Sequence, residues 1–275
     1  SALVALAVGL SLLVNPVADA APKKLKLLWS DEFNGKQGVR PSSKVWSTEI
    51  GGGGWGNSER QFYTDKAANA SMDGAGRLVI TANRISNQYS EQVGEVPGTE
   101  DILNRCSECQ FTSARLKTAR KLSFQYGRIE ARIKMPQGVG TWPAFWMLGT
   151  NIEQVGWPQS GEIDIIESLG RDPMTAYATL HGPGYFAGQG YGTTSTRPDA
   201  LADDFHVYAI NWKPDYIEWE IDGEVFHTAT PEDVAPNEWV YNQPFYLLMN
   251  LAMGGGFGGN IDPKLESSQM SVDYI

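Results

Sequence analysis

The run Gly161-Glu162-Ile163-Asp164-Ile165-Ile166-Glu167 interleaves carboxylates with isoleucines. In an extended strand side chains alternate, so Glu162 and Asp164 share one face while Ile163 and Ile165 point to the other. Strict alternation would bury Glu167, and a lone ionised carboxylate among isoleucines is costly. A one-residue bulge is therefore expected near Ile165 and Ile166, returning Glu167 to the wet face. Three acids on one face repel each other. Such crowding raises at least one pKa and leaves a protonated acid beside an ionised carboxylate near neutral pH. Glycoside hydrolysis uses that pair; the competing reading is a solvated acidic strand face. With one residue absorbed by the bulge, the Cα atoms of Glu162 and Glu167 sit roughly 13 Å apart, so their side chains must lean together across Asp164. Carboxyls about 5–5.5 Å apart go with retention and wider spacing with inversion, and the sequence leaves both open.

Just upstream, Trp142 and Trp146 fall four residues apart on one face of a strand-like run from Thr141 to Leu148, with Phe145 and Met147 on the other. Indoles in that position offer flat faces to sugar rings, as an alternative to core packing. Trp157, in a Gly-Trp-Pro loop, divides between stacking at the rim and packing within its loop.

Other chemistries fall away. Gly51–Gly56 and Gly254–Gly259 fit GxGxxG, but neither opens an amphipathic helix in a βαβ unit. The histidines, His181, His206 and His227, form no HExxH, and no GxSxG is present. Cys106 and Cys109 supply too few ligands for structural zinc and lead into a strand, so a local disulfide is expected. A net charge of −10 argues against nucleic acid and anionic lipid as partners.

The elements that must hold these residues are short alternating runs bounded by Gly, Pro, Asn and Asp, which predict an all-β sandwich. The clearest is Gly127 to Met135. Tyr216 to Ile221 and Glu224 to Thr228 form a hairpin around Asp222-Gly223. Further strands are expected at Lys24–Trp29, Arg77–Ala82, Trp142–Leu148, Glu162–Glu167, Thr175–His181, Phe205–Trp212, Phe245–Leu251 and Ser271–Ile275, enough for two stacked sheets. The stretch from Arg84 to Gln110 reads as an ordered surface loop at the rim of the site. Ala2 to Val14 is apolar but too short to span a bilayer and ends near Ala18-Asp19-Ala20, so residues 1–20 read as a secretory signal and 21–275 as one catalytic domain. The closing strand is expected to be cut short at Ile275. Asn69-Ala-Ser71 is a glycosylation sequon.

The segment from Glu162 to Glu167 resembles the bulged signature of glycoside hydrolase family 16, laminarinase type. The likeness extends to Trp29–Asn34, Trp55–Thr64, Thr112–Arg115, Tyr126–Arg132, Trp142–Trp146, Phe205–Ala209 and Met249–Ala252, in that order. It implies a jelly roll of two curved antiparallel sheets with a concave cleft, and retaining endo-hydrolysis of β-1,3-glucan or mixed-linkage β-1,3-1,4-glucan. By this resemblance Glu162 is the nucleophile, Asp164 its helper and Glu167 the acid/base. Asn57, Arg115 and Trp146 would hold sugars on the non-reducing side, with His181 near the leaving group. No catalytic cofactor is implied. A structural calcium is, with Glu32, the Gly76 carbonyl and Asp273 as oxygen donors. The expected protein is a secreted monomer. Two departures stand out: Phe257 where such enzymes carry a Trp, and Asn211 where an acid often precedes Trp212. A non-catalytic glucan-binding jelly roll, a sibling agarase or carrageenase, and a transglycosylase are the alternatives.

Overall fold

The computed structural model describes residues 25–85 and 100–275. The chain divides into two units, Ser1–Ser30 and Asp31–Ile275. The expected signal segment lies outside the described residues. Residues 25–29 form no strand, contrary to the alternation of Lys and Leu there. Alternation licenses only an extended chain; a strand also needs a partner ladder, and these residues belong to none.

Strands of the second unit are β1 (Ser47–Thr48), β2 (Gln61–Tyr63), β3 (Ala70–Met72), β4 (Leu78–Arg84), β5 (Phe111–Ser113), β6 (Arg115–Lys117), β7 (Gly127–Lys134) and β8 (Thr141–Gly149). They continue with β9 (Glu162–Leu169), β10 (Asp172–His181), β11 (Tyr191–Thr196), β12 (His206–Lys213), β13 (Tyr216–Ile221), β14 (Glu224–Ala229), β15 (Phe245–Met253) and β16 (Ser267–Tyr274). A seven-stranded sheet runs β1-β6-β15-β8-β9-β10-β11. A nine-stranded sheet runs β14-β13-β12-β7-β16-β4-β5-β2, with β3 added beside β4. Pairing is antiparallel throughout except between β2 and β5, which run parallel, a departure from the purely antiparallel expectation.

The sheets meet through the inward faces of alternating strands. Ile217, Trp219 and Ile221 of β13 are buried, as are Ile163 and Ile165 of β9. Every residue of β15 is buried, so its sequence, Phe-Tyr-Leu-Leu-Met-Asn-Leu-Ala-Met, shows no alternation. One side faces the core, and on the other Tyr246 and Leu248 cluster with Leu148. At the tip of the β13–β14 hairpin Asp222 and Gly223 take φ of 53° and 80°, the positive values that such a tight turn requires.

The bulge forms where the carboxylates demand it. Against β8, Trp146 pairs with Asp164 and Phe145 with Ile166, leaving Ile165 unpaired. Against β10, Thr179 pairs with Asp164 and Tyr177 with Glu167. All three isoleucines stay buried.

Cys106 and Cys109 form the expected disulfide. Of the long stretch between Arg84 and Gln110, residues 86–99 lie outside the described set, and the remainder begins with a short helix, α1 (Glu100–Arg105). The sequon is not a modification site in the folded chain. Asn69 is 2 % exposed; its Oδ1 accepts from Thr64 Oγ1 at 2.6 Å and its Nδ2 donates to the Thr81 carbonyl at 2.9 Å.

Candidate active site

A cleft of about 890 Å³ opens along β8, β9, β10 and β15 of the seven-stranded sheet. Glu162, Asp164 and Glu167 line it together with Asn57, Arg115, Trp142, Trp146, Trp157 and His181. These nine residues, singled out in the sequence, thus converge from β6, β8, β9, β10 and two loops. Gly161 is required just ahead of the first acid: its φ is 73°, and a Cβ there would sit 2.9 Å from Val240 Cγ2 and 3.0 Å from Phe245 Cζ.

The tryptophans act on the acids directly. Trp142 Nε1 donates to Glu167 Oε1 at 2.7 Å, and Trp157 Nε1 donates to Glu162 Oε2 at 2.7 Å. Trp146 instead donates to Asn250 Oδ1 at 2.8 Å and lies under the Arg115 guanidinium, 4.6 Å from its ring centroid. Trp157 is 42 % exposed and meets Phe186 edge-on at 5.5 Å. It therefore both stands at the rim and contacts the first acid. His181 Nε2 lies 3.2 Å from Asp164 Oδ2, outside hydrogen-bonding angles, since that oxygen has no hydrogen-bond partner.

Burial, more than crowding, raises the acids' pKa values. It pushes Glu162 up to about 8, with the Asp164 charge adding to the shift. It pushes Glu167 up to about 7 against the opposing bond from Trp142. Asp164 rises well above the usual carboxylate range, again chiefly through burial. Like-charge crowding does raise at least one of them, as expected, while desolvation on the dry cleft floor is the larger cause.

Some cleft residues carried no clear signal in the sequence. Glu59 is 5 % exposed, with burial raising its pKa. It accepts from Asn57 Nδ2 at 3.1 Å and Gln61 Nε2 at 2.5 Å, which fixes the Asn57 amide. Phe257 does line the cleft, edge-on to Trp142 at 5.4 Å and to Tyr177 at 5.1 Å. Asn211 lies outside the cleft. It sits on β12 of the other sheet, bonded to Arg128 Nη1 and to Glu218 and Glu220, where a third acid would add repulsion.

Glu32, Gly76 and Asp273 lie apart from the cleft. Backbone bonds between Asp31 and Ile275, at 3.0 and 3.1 Å, bring the start of this unit beside its last strand. A Cβ on Gly76 would lie 3.4 Å from Asn34 Oδ1 and 4.0 Å from the Glu32 carbonyl, so hard oxygen donors gather there. Asp273 Oδ2 already accepts from Arg132 Nη1 at 2.8 Å. In the cleft, Glu162, Asp164 and His181 each bring a ligand-type atom within 4.8 Å of the others. Protons held on the raised carboxyls would compete with any cation entering there. Among the described residues, no helix is long and apolar enough to cross a membrane.

Comparison with known proteins agrees with this geometry. Residues 57–275 match the model of glycosyl hydrolases family 16. A β-glucanase of Rhodothermus marinus is 37 % identical over 99 % of this chain and 91 % of its own. A glucan endo-1,3-β-glucosidase of Cryptopygus antarcticus is 39 % identical over 90 % of this chain and 89 % of its own. The X-ray structure of an endo-β-1,3-glucanase from Pyrococcus furiosus is 41 % identical and superposes with a TM-score of 0.78, covering 90 % of this chain and 92 % of that one. A jelly-roll sandwich with acids interleaved along one bulged strand, matched over most of its length by these relatives, makes the chain a glycoside hydrolase and a member of family 16.

Proposed function

We propose that this enzyme hydrolyses internal linkages of β-1,3-glucan or mixed-linkage β-1,3-1,4-glucan with retention, through Glu162 and Glu167. The observation that carries the proposal is that both acids face one cleft across Asp164, each held by a tryptophan N–H. Relatives named as endo-1,3-β-glucanases supply the substrate class.

Asp164, its side chain 3 % exposed, stands between the two glutamates on the same face of β9 and orients Glu162. The Trp157 N–H, donated to Glu162 Oε2, favours the ionised form needed to attack the anomeric carbon. Glu167, pushed up to about 7, holds a proton for the leaving oxygen. Once the glycosyl-enzyme bond has formed, it takes a proton from water, and the released hydroxyl attacks the anomeric carbon and frees Glu162.

Arg115, Asn57 and Trp146 bind sugars on the non-reducing side, and Trp157 and His181 flank the leaving group. A structural calcium held by Glu32, Gly76 and Asp273 would tie the start of the unit to β16 through hard oxygen donors and take no part in the chemistry. The apolar run before residue 20 and the Cys106–Cys109 disulfide support secretion, and the net charge of −10 disfavours nucleic acid and anionic membranes as partners of the expected monomer. Retained acids and glucanase relatives disfavour a purely sugar-binding role.

Incubation with laminarin and barley glucan, followed by chain-length profiling and proton NMR of the first product, tests the proposal. Mid-length oligomers bearing a β-anomeric end are expected. An α-anomer appearing first, or intact glucan after prolonged incubation, would overturn it.

A further inference from the structure

Trp219 lies on β13 of the nine-stranded sheet, 0 % exposed, and its indole Nε1 donates to the backbone carbonyl of Asp164 at 2.9 Å. That bond crosses the sandwich from one sheet to the other. It lands on the residue directly ahead of the unpaired Ile165, where β9 departs from regular pairing with both neighbours. Bulged backbone loses part of its ladder, and a buried carbonyl needs a donor from elsewhere.

The ring is held from behind. His227 of β14 stacks against Trp219 at 5.0 Å, and Tyr191 of β11 against His227 at 5.3 Å. Burial lowers the His227 pKa, which keeps this stack neutral. Trp219 therefore presents its N–H from a fixed position.

We infer that Trp219 is a positioning residue for the hydrolytic reaction: its cross-sheet hydrogen bond pins the bulge in β9 and so fixes the placement of Asp164 and Glu167 relative to Glu162. The inference rests on the proposed roles of these acids. Without the bond the bulge can relax along the strand, and the carboxyls move while their own hydrogen-bond partners stay intact. Displacements near 1 Å at reacting groups cost up to about a hundredfold in rate.

The test compares wild type with Trp219→Phe and with a chain carrying 3-benzothienylalanine at 219, which fills the indole's space but replaces its N–H with sulfur. Expected for the isostere are a kcat on laminarin lower by about tenfold or more, a KM within about twofold, and a displaced alkaline limb of the pH–rate profile. Carbon-13 NMR of the Asp and Glu side-chain carboxyls should show shifted titrations of Asp164 and Glu167. Superimposable titrations and an unchanged kcat in the isostere, with only a lower Tm in Trp219→Phe, would reduce Trp219 to core packing and overturn the inference. The NMR arm needs no turnover. Wild type inert on laminarin would sink the proposed function, whereas the carboxyl titrations would still decide whether Trp219 places the acids.

Discussion

The indole N–H of Trp142 meets Oε1 of Glu167 at 2.7 Å, so a residue expected to stack on sugar also sets the acidity of the proton donor. The bond favours the ionised carboxylate and opposes the upward push of burial. Removing it in Trp142→Phe should raise the Glu167 pKa above about 7. A general acid works while protonated, so the alkaline limb of kcat/KM should move to higher pH. A limb that stays in place or moves to lower pH would show that another group controls it.

Glu162→Gln and Glu167→Gln should both lower kcat on laminarin, by about a hundredfold or more. Their failures should differ. An aryl glycoside whose leaving group needs no proton should still be cleaved at its first bond by Glu167→Gln and left intact by Glu162→Gln. Burst kinetics with such a substrate separates the two roles.

The raised acids make stability depend on pH. Their folded-state pKa values, about 8 for Glu162 and about 7 for Glu167, exceed the ordinary value of 4.5, so the folded chain binds protons more tightly than the unfolded one. The stability they contribute is complete below about pH 4.5 and is lost as pH rises through 7 to 8. Each Glu→Gln variant should therefore gain Tm over wild type at pH 9 and gain less at pH 4.5. Thermal melts across that range check the sign.

Gly52 rests on the disulfide: a Cβ there would lie 2.5 Å from Cys106 Sγ and 2.8 Å from Cys109 Sγ. The same glycine-rich loop leads to Trp55 and Asn57 in the cleft. A bridge closing so short a loop restricts the unfolded chain little, so its effect should fall on the loop it supports. Cys106→Ser with Cys109→Ser should raise KM for laminarin by a few-fold, about 1 kcal/mol of binding, with kcat nearly unchanged. Steady-state kinetics would expose the opposite split.

If calcium ties Glu32 and Gly76 to β16, chelation should lower Tm, and added calcium should restore it by mass action. The kcat measured well below the melt should not change. Melts with and without chelator, alongside initial rates, read both quantities.

Alternation made most strands legible, because a half-buried strand must alternate and Gly127–Lys134 does. It failed at β15, where both faces are covered, and at residues 25–29, where a good pattern joins no strand ladder. Glu59 stayed hidden for a related reason: a carboxylate in a loop reads as solvated until Asn57, Gln61 and Tyr63 close around it.

The sequence by itself determined the bulge and the side of the sheet the acids occupy, since burying Glu167 among isoleucines costs more than a broken ladder. It also set the disulfide, whose partners are close along the chain. Only the tertiary structure decided which tryptophan grips which acid, how far burial lifts their pKa values, and that Trp219 reaches across the sandwich to Asp164. These depend on distances between residues far apart in the chain, and residue types and local spacing carry no record of them.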